Sequence, residues 1–256
     1  MTEAPTRSAW IRRFRPSPDA ATRLVCFPHA GGSASYYYPM ARCLAPDVDV
    51  LSMQYPGRQD RIAEPCVDDI RTLAELMTAE LLPWCDRPLL LFGHSMGATL
   101  AFEVALRMDR EGPTPLALVA SGRRAPSTHR DEQMHLATDQ ELVEELGRLN
   151  PASASALNDA ALLRTALPAV RSDYRAIERY RCAPAVRLSC PVTAVVGDED
   201  PVTDIEEAMA WGLHTTSRFR LRVFPGGHFF LDDHPDAVRE VVRGHLLAAG
   251  RHPDMT

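Results

Sequence analysis

The 256-residue chain predicts an α/β fold with a mostly parallel central sheet, on three observations. Short, near-continuous apolar runs recur along it, as strands buried on both faces should. Helical patterns lie between most of these runs. The longest interval between two runs, 126–183, carries three helical patterns of its own.

Strands are predicted over 23–27, 48–54, 88–92, 116–121, 192–196 and 219–224. A helix over 96–110 carries Leu100, Phe102, Val104, Leu106 and Met108 and stops before Glu111-Gly112-Pro113. Between 126 and 183, helices are expected over 140–149, 159–167 and 169–180. A single crossover helix needs far fewer residues, so this segment reads as a helical lid insertion over the strand ends, inside one domain spanning 1–256. No Gly/Ser-rich linker flanks it, which favours an insertion over a separate small domain.

Composition excludes several function classes. All 28 basic residues are Arg and none is Lys, so no Schiff base, Ser-Lys dyad or phosphate-loop lysine can be built. The net charge of −6 argues against non-specific nucleic-acid binding, which rests on neutralising phosphates. No apolar stretch approaches the roughly 18 residues of a membrane span, and the first 18 residues lack an apolar signal region, so a cytoplasmic location is expected. The six cysteines form no C-x-x-C pair and read as buried small apolar residues. Asp232-Asp233-His234 does not read as a metal site, because three adjacent residues cannot converge on an ion unaided.

Gly93-His94-Ser95-Met96-Gly97 is a complete G-x-S-x-G. Alone it is weak, since chance places it in roughly one chain in ten at ordinary usage. Here it follows an apolar strand and opens a helix, the setting of a nucleophile elbow. A serine hydroxyl must hand its proton to a base, normally a histidine oriented by a carboxylate. Downstream, the strand at 192–196 runs into Gly197-Asp198-Glu199-Asp200-Pro201, where Asp200 is the favoured acid and Asp198 the alternative. The strand at 219–224 is followed by Pro225-Gly226-Gly227-His228, a Gly-hinged loop that makes His228 the candidate base and is expected to be exposed. Oxyanion donors are expected from the amide of Met96 and from that of Ala30, in the HGGG-like Phe27-Pro28-His29-Ala30-Gly31-Gly32.

These segments resemble the type II thioesterases that accompany modular polyketide and non-ribosomal peptide synthases, an α/β-hydrolase family. The resemblance rests on Phe27 to Ser33, Gln54-Tyr55-Pro56-Gly57-Arg58, Gly93 to Gly97, Ser121-Gly122-Arg123-Arg124-Ala125-Pro126, Arg171-Ser172-Asp173-Tyr174 and Gly226-Gly227-His228-Phe229-Phe230-Leu231. It implies an editing serine hydrolase that removes stalled short acyl groups from the phosphopantetheine arm of acyl or peptidyl carrier proteins. By carry-over, Ser95 takes the acyl group, His228 is base then acid, Asp200 orients it, and Ala30 and Met96 hold the oxyanion. No cofactor of its own and no metal is implied, since the carrier presents the phosphopantetheine. A general carboxylesterase or lipase acting on small oxygen esters is the alternative on the same fold.

Two further expectations concern binding. Arg58, Arg61, Arg123 and Arg124 follow strands near the active-site edge and would form a basic rim for a carrier. The apolar faces of the insertion, with Tyr36, Tyr37 and Tyr38 nearby, would form an acyl pocket.

Overall fold

The computed structural model describes residues 8–151 and 158–249. Its seven-stranded sheet has the order β1-β3-β2-β4-β5-β6-β7. The strands are β1 (Ile11–Arg12), β2 (Thr22–Phe27), β3 (Val48–Met53), β4 (Leu89–His94), β5 (Ala117–Ser121), β6 (Val192–Gly197) and β7 (Phe219–Phe224). All neighbours run parallel except β1, a two-residue edge strand antiparallel to β3 that is too short to read from its sequence.

Alternation along the strands builds two cores. Leu89 and Leu91 of β4 face one layer, with Val25, Phe27, Leu118 and Ala120. Leu90 and Phe92 face the other, with Leu24, Cys26, Ala117 and Val119. This is the period of two that a strand imposes. Helices α2 (Ile70–Leu81) and α3 (Met96–Glu111) cover the first layer, and α1 (Tyr38–Leu44) lies on the second. Each large side chain taken fully from water in these layers stabilises the fold by about 1.5–3 kcal/mol. The cysteines divide: Cys26 and Cys190 are buried in these cores, whereas Cys43 is exposed and Cys66, Cys85 and Cys182 are intermediate. The expectation of six buried thiols therefore holds for two.

The segment between β5 and β6 contains α4 (Asp139–Leu149) and α5 (Ala160–Arg179). Thr138 starts α4 with a capping box closed by Glu141, and Asp159 starts α5 by accepting from the amides of Ala161 and Leu162. The two helices expected over 159–167 and 169–180 are one. Pro168 lies inside α5 on its exposed side, next to the buried Leu167 and Ala169. There its missing donor leaves a carbonyl facing water, and the buried face carries the helix through. Helices α6 (Ile205–Met209), α7 (Phe230–Asp233) and α8 (Pro235–Ala249) complete the chain. Val238 and Val242 of α8 pack on the second layer. No helix among the described residues is long and apolar enough to cross a membrane.

The sheet order reverses direction at β2 and β4: β3 lies outward of β2 on one side, and β5 to β7 follow β4 on the other. Open parallel sheets form a crevice at the carboxyl ends of the strands at such a switch point. The loop after Phe27 and the turn holding Ser95 both sit there.

Candidate active site

Ser95 occupies the turn between β4 and α3 at φ 55° and ψ −123°. Its amide donates to the Ser121 carbonyl at 2.7 Å, and its carbonyl accepts from Ala98 at 2.9 Å. The turn is tight enough that a Cβ on Gly93 would stand 2.1 Å from the Gly97 carbonyl oxygen, and one on Gly97 would stand 2.0 Å from that of Phe27. Both obstacles are backbone and cannot swing aside, so only glycine fits on either side of the serine. The positive φ of a non-glycine residue is strain held by this surrounding structure, and it sets the hydroxyl at the head of α3.

Asp200 and His228 meet beyond the ends of β6 and β7. The imidazole Nδ1 lies 2.9 Å from Asp200 Oδ2 and 3.1 Å from Oδ1. Asp200 Oδ1 also accepts from the Val202 amide at 2.8 Å. Both side chains are buried. A ring nitrogen facing a carboxylate carries the proton, which leaves Nε2 as the acceptor. Asp198, the other carboxylate left open by the sequence, accepts from the Gly226 amide at 2.8 Å and so ties down the histidine loop. The expected exposure of His228 is corrected: it is 3% exposed, packed against His94 at 4.9 Å and Phe229 at 5.3 Å between ring centroids. Among the described residues no hydrogen bond joins Ser95 to His228, yet both line the same two cavities. Such bonds commonly tighten only when substrate is bound.

The loop after β2 brings Ala30 to this place, and Met96 follows the serine directly. Ala30 and Met96 line one cavity with Ser95 and His228. The loop is held from outside the sheet. Asp173 of α5 accepts from the Gly31 amide at 2.7 Å through Oδ2. It also takes a two-pronged contact from Arg58, at 2.6 Å to Oδ2 and 2.9 Å to Oδ1. Arg58 further donates to the Gly32 carbonyl at 3.2 Å. Burial alone would lower the guanidinium pKa, but the charge and hydrogen bonds of Asp173 outweigh it and raise the pKa. Neither Asp173 nor Arg58 was singled out for this role by sequence. The available signal was that Asp173 lies on the buried stripe of α5, with Ala169, Val170, Ala176 and Ile177. A carboxylate on an apolar helical face requires a buried partner.

Two more imidazoles surround His228. His94 Nδ1 bonds the Ser121 hydroxyl at 3.0 Å, and its pKa is driven well below the ordinary value by burial and then by His228 and His29. His29 packs edge-on against Tyr36 and Phe229, and burial followed by the charges of His228 and Arg58 pushes its pKa down to about 3. Both are therefore neutral near pH 7.

Two cavities open from the serine. One, of about 200 Å³, is walled by Leu146 and Leu149 of α4, by Leu163, Leu167 and Val170 of α5, and by Phe229. The other, of about 250 Å³, sets Arg123, Glu132, Gln133, Glu145 and Glu178 beside the apolar Met134, Leu149, Ile177 and Val202. A cavity farther out, beside β7 and α8, has a larger volume, but none of its lining residues belongs to this constellation.

The basic rim expected from sequence is not formed. Arg58 is buried on Asp173; Arg61 is buried, bonded to Glu64 and to the Gln54 carbonyl; Arg124 is buried on Glu132 and the Val202 carbonyl. Arg123 alone of the four reaches a cavity beside the serine, that of Glu132 and Glu178. The three tyrosines also separate: Tyr37 is buried and donates to the Phe27 carbonyl, Tyr38 is exposed, and Tyr36 backs the apolar cavity through His29 and Phe229 while donating to Asp232.

Comparison with known proteins agrees with this geometry. The family model described as "Thioesterase domain" matches residues 22–246. A probable cadicidin biosynthesis thioesterase of Streptomyces griseus is 54% identical over 97% of this chain and 68% of its own length. Thioesterase PikA5 of Streptomyces venezuelae is 46% identical over 99% of this chain and 92% of its own. Among solved structures, the type II thioesterase BorB from the borrelidin biosynthetic cluster superposes with a TM-score of 0.89 at 48% identity, covering 94% of this chain and 99% of that one. The chain belongs to the thioesterase family of α/β-hydrolases, among the type II enzymes of biosynthetic clusters.

Proposed function

We propose that the protein is an editing serine thioesterase that hydrolyses stalled short acyl groups from the phosphopantetheine arm of acyl or peptidyl carrier proteins in polyketide or non-ribosomal peptide synthesis. The observation that carries the reading is the convergence of Ser95, the Asp200–His228 pair and the Ala30 loop on an apolar cavity small enough for a short chain.

In the first half-reaction the Ser95 hydroxyl oxygen attacks the thioester carbonyl while His228 Nε2 takes its proton. Asp200, held by the Val202 amide, keeps the Nδ1 proton in place and stabilises the imidazolium. Charge developing on the carbonyl oxygen is met by the amides of Ala30 and Met96, each contributing about 3–4 kcal/mol of transition-state stabilisation by analogy with measured donor removals. The C–S bond breaks, the thiolate takes the proton from His228, and the acyl group stays on Ser95 as an ester. Water, activated by the same imidazole, attacks that ester and releases the free acid. The neutral His29 and His94 add no positive charge against the imidazolium that forms on His228.

The test is thiol release from acetyl- and propionyl-loaded carrier protein beside the matching oxygen esters, with wild type and Ser95→Ala. Release from the carrier that vanishes in the variant supports the reading. Turnover confined to oxygen esters removes the carrier partner.

A further inference from the structure

The cavity beside β7 and α8, of about 360 Å³, has no part in the reaction at Ser95. Its volume lies within the range of about 300–1,000 Å³ usual for small-ligand sites. β7 is the last strand of the sheet, and α8 packs through Val238 and Val242 on the second core layer. Phe219 and Leu221 of β7 turn to the first layer. Alternation then points Arg220 and Arg222 to the opposite face, where α8 lies. Ala237, Val241 and Gly244 recur at the spacing of one helical face and form the facing wall. A Cβ on Gly244 would meet nothing within 4 Å, so the groove is open at that point.

The groove has two unlike ends. At one, Thr193 Oγ1 and His245 Nε2 are bonded at 2.9 Å, and Arg220 stands beside them. His245 Nδ1 has no partner among the described residues. Burial, and after it the charge of Arg220, hold the His245 pKa below its ordinary value, so the guanidinium projects its field into this end. At the other end stands the Phe224 ring, stacked at 6.0 Å on His234, just before α8 begins. Four residues separate Arg220 from Phe224, about 13 Å along the strand.

The arginines are exposed, and neither makes a hydrogen bond or ion pair among the described residues. Arg58, Arg61 and Arg124, by contrast, each rest on a carboxylate. Glu240 lines the groove without pairing with either arginine. Two like charges two residues apart on one strand face repel, and an anion between them relieves that repulsion. Charge on an edge strand also discourages strand addition, but that role requires neither an imidazole nor an apolar wall.

We propose that this groove is a second binding site, for an organic oxyanion: a phosphate or carboxylate head held by Arg220, Arg222 and the His245 ring, with a short apolar body lying along Val241 and Gly244 toward Phe224. The site is separate from the Ser95 crevice and does not depend on the thioesterase reading.

The experiment is isothermal titration with hexyl phosphate, hexanoate, inorganic phosphate and hexanol. It uses wild type, the double variant Arg220→Gln with Arg222→Gln, Gly244→Leu and Ala166→Leu. Wild type should bind one hexyl phosphate or hexanoate about tenfold or more tightly than inorganic phosphate or hexanol, each of which carries half of the ligand. The two acids tell which head the groove prefers. Removing both guanidiniums should weaken binding about tenfold or more, and Gly244→Leu, which fills the groove, should do the same. Ala166→Leu, which narrows the acyl cavity, should leave the affinity unchanged. Because both arginines are exposed and outside the catalytic constellation, the double variant should keep the melting temperature and turnover of wild type. Lost binding then reports the site and not the fold. Binding that survives the double variant, binding lost in Ala166→Leu, or no saturable binding of either acid overturns the proposal.

Discussion

Asp173 Oδ2 accepts at once from the Arg58 guanidinium at 2.6 Å and from the Gly31 amide at 2.7 Å, so one buried carboxylate joins α5 to the loop that carries Ala30. The same helix walls the apolar cavity through Leu163, Leu167 and Val170. The wall of the apolar cavity and the position of the Ala30 loop are thus both set by one helix.

Asp173→Asn should therefore injure both stability and rate. It leaves a buried guanidinium without its counter-charge, a loss of about 3–5 kcal/mol for pairs of this kind. Urea unfolding should show that fall, and kcat should drop more than KM rises because the donor, not the acyl pocket, is displaced. Replacing both partners, Arg58→Met with Asp173→Leu, should cost less stability than the two single changes summed.

Two glycines give opposite outcomes. Gly97→Ala forces a Cβ to 2.0 Å from the Phe27 carbonyl oxygen and should abolish the fold of the elbow or of the protein. Gly244→Ala, inside α8 with nothing within 4 Å of the added carbon, should stabilise by about 0.5–1 kcal/mol. Thermal melting of the two variants checks both signs.

Lengthening the side chain of Ala166, which lines the apolar cavity, should shorten the acyl group accepted. Ala166→Leu is expected to lower kcat/KM for hexanoyl relative to acetyl thioesters by about tenfold, the order that one or two methylenes command in such a pocket. Equal effects on both chain lengths would place the acyl group elsewhere.

Acid stability follows from the two depressed histidines. Below about pH 6.5 the unfolded chain takes up protons on His29 and His94 that the folded chain refuses, His29 down to about pH 3. Stability must then fall as pH drops through this window, at up to about 1.4 kcal/mol per pH unit for each group. Urea midpoints between pH 7 and 4 should show the slope, and His94→Gln should flatten it.

The strained turn at Ser95 and the pairing of Asp200 with His228 are legible in the sequence because each lies in a short pattern tied to a strand end. Six of the seven strands are legible for the same reason; the two-residue β1 lacks the length to show a period. Arg58 and Asp173 escape, since 115 residues separate them and only the folded chain reveals which charges pair. Arg58, Arg61 and Arg124 look like surface residues by type, yet tertiary pairing buries them. The unbroken α5 escapes because Pro168 opposes a helix locally while the packing on either side of it favours one.

The central claim is that Ser95 carries the acyl group. Wild type mixed with acetyl-pantetheine, quenched during turnover and analysed by intact mass and peptide mapping, should carry one acetyl group on the peptide holding Ser95. The adduct and the thiol release should both be missing in Ser95→Ala. Thiol release that persists in that variant, or an acetyl group found on another residue, would contradict the account.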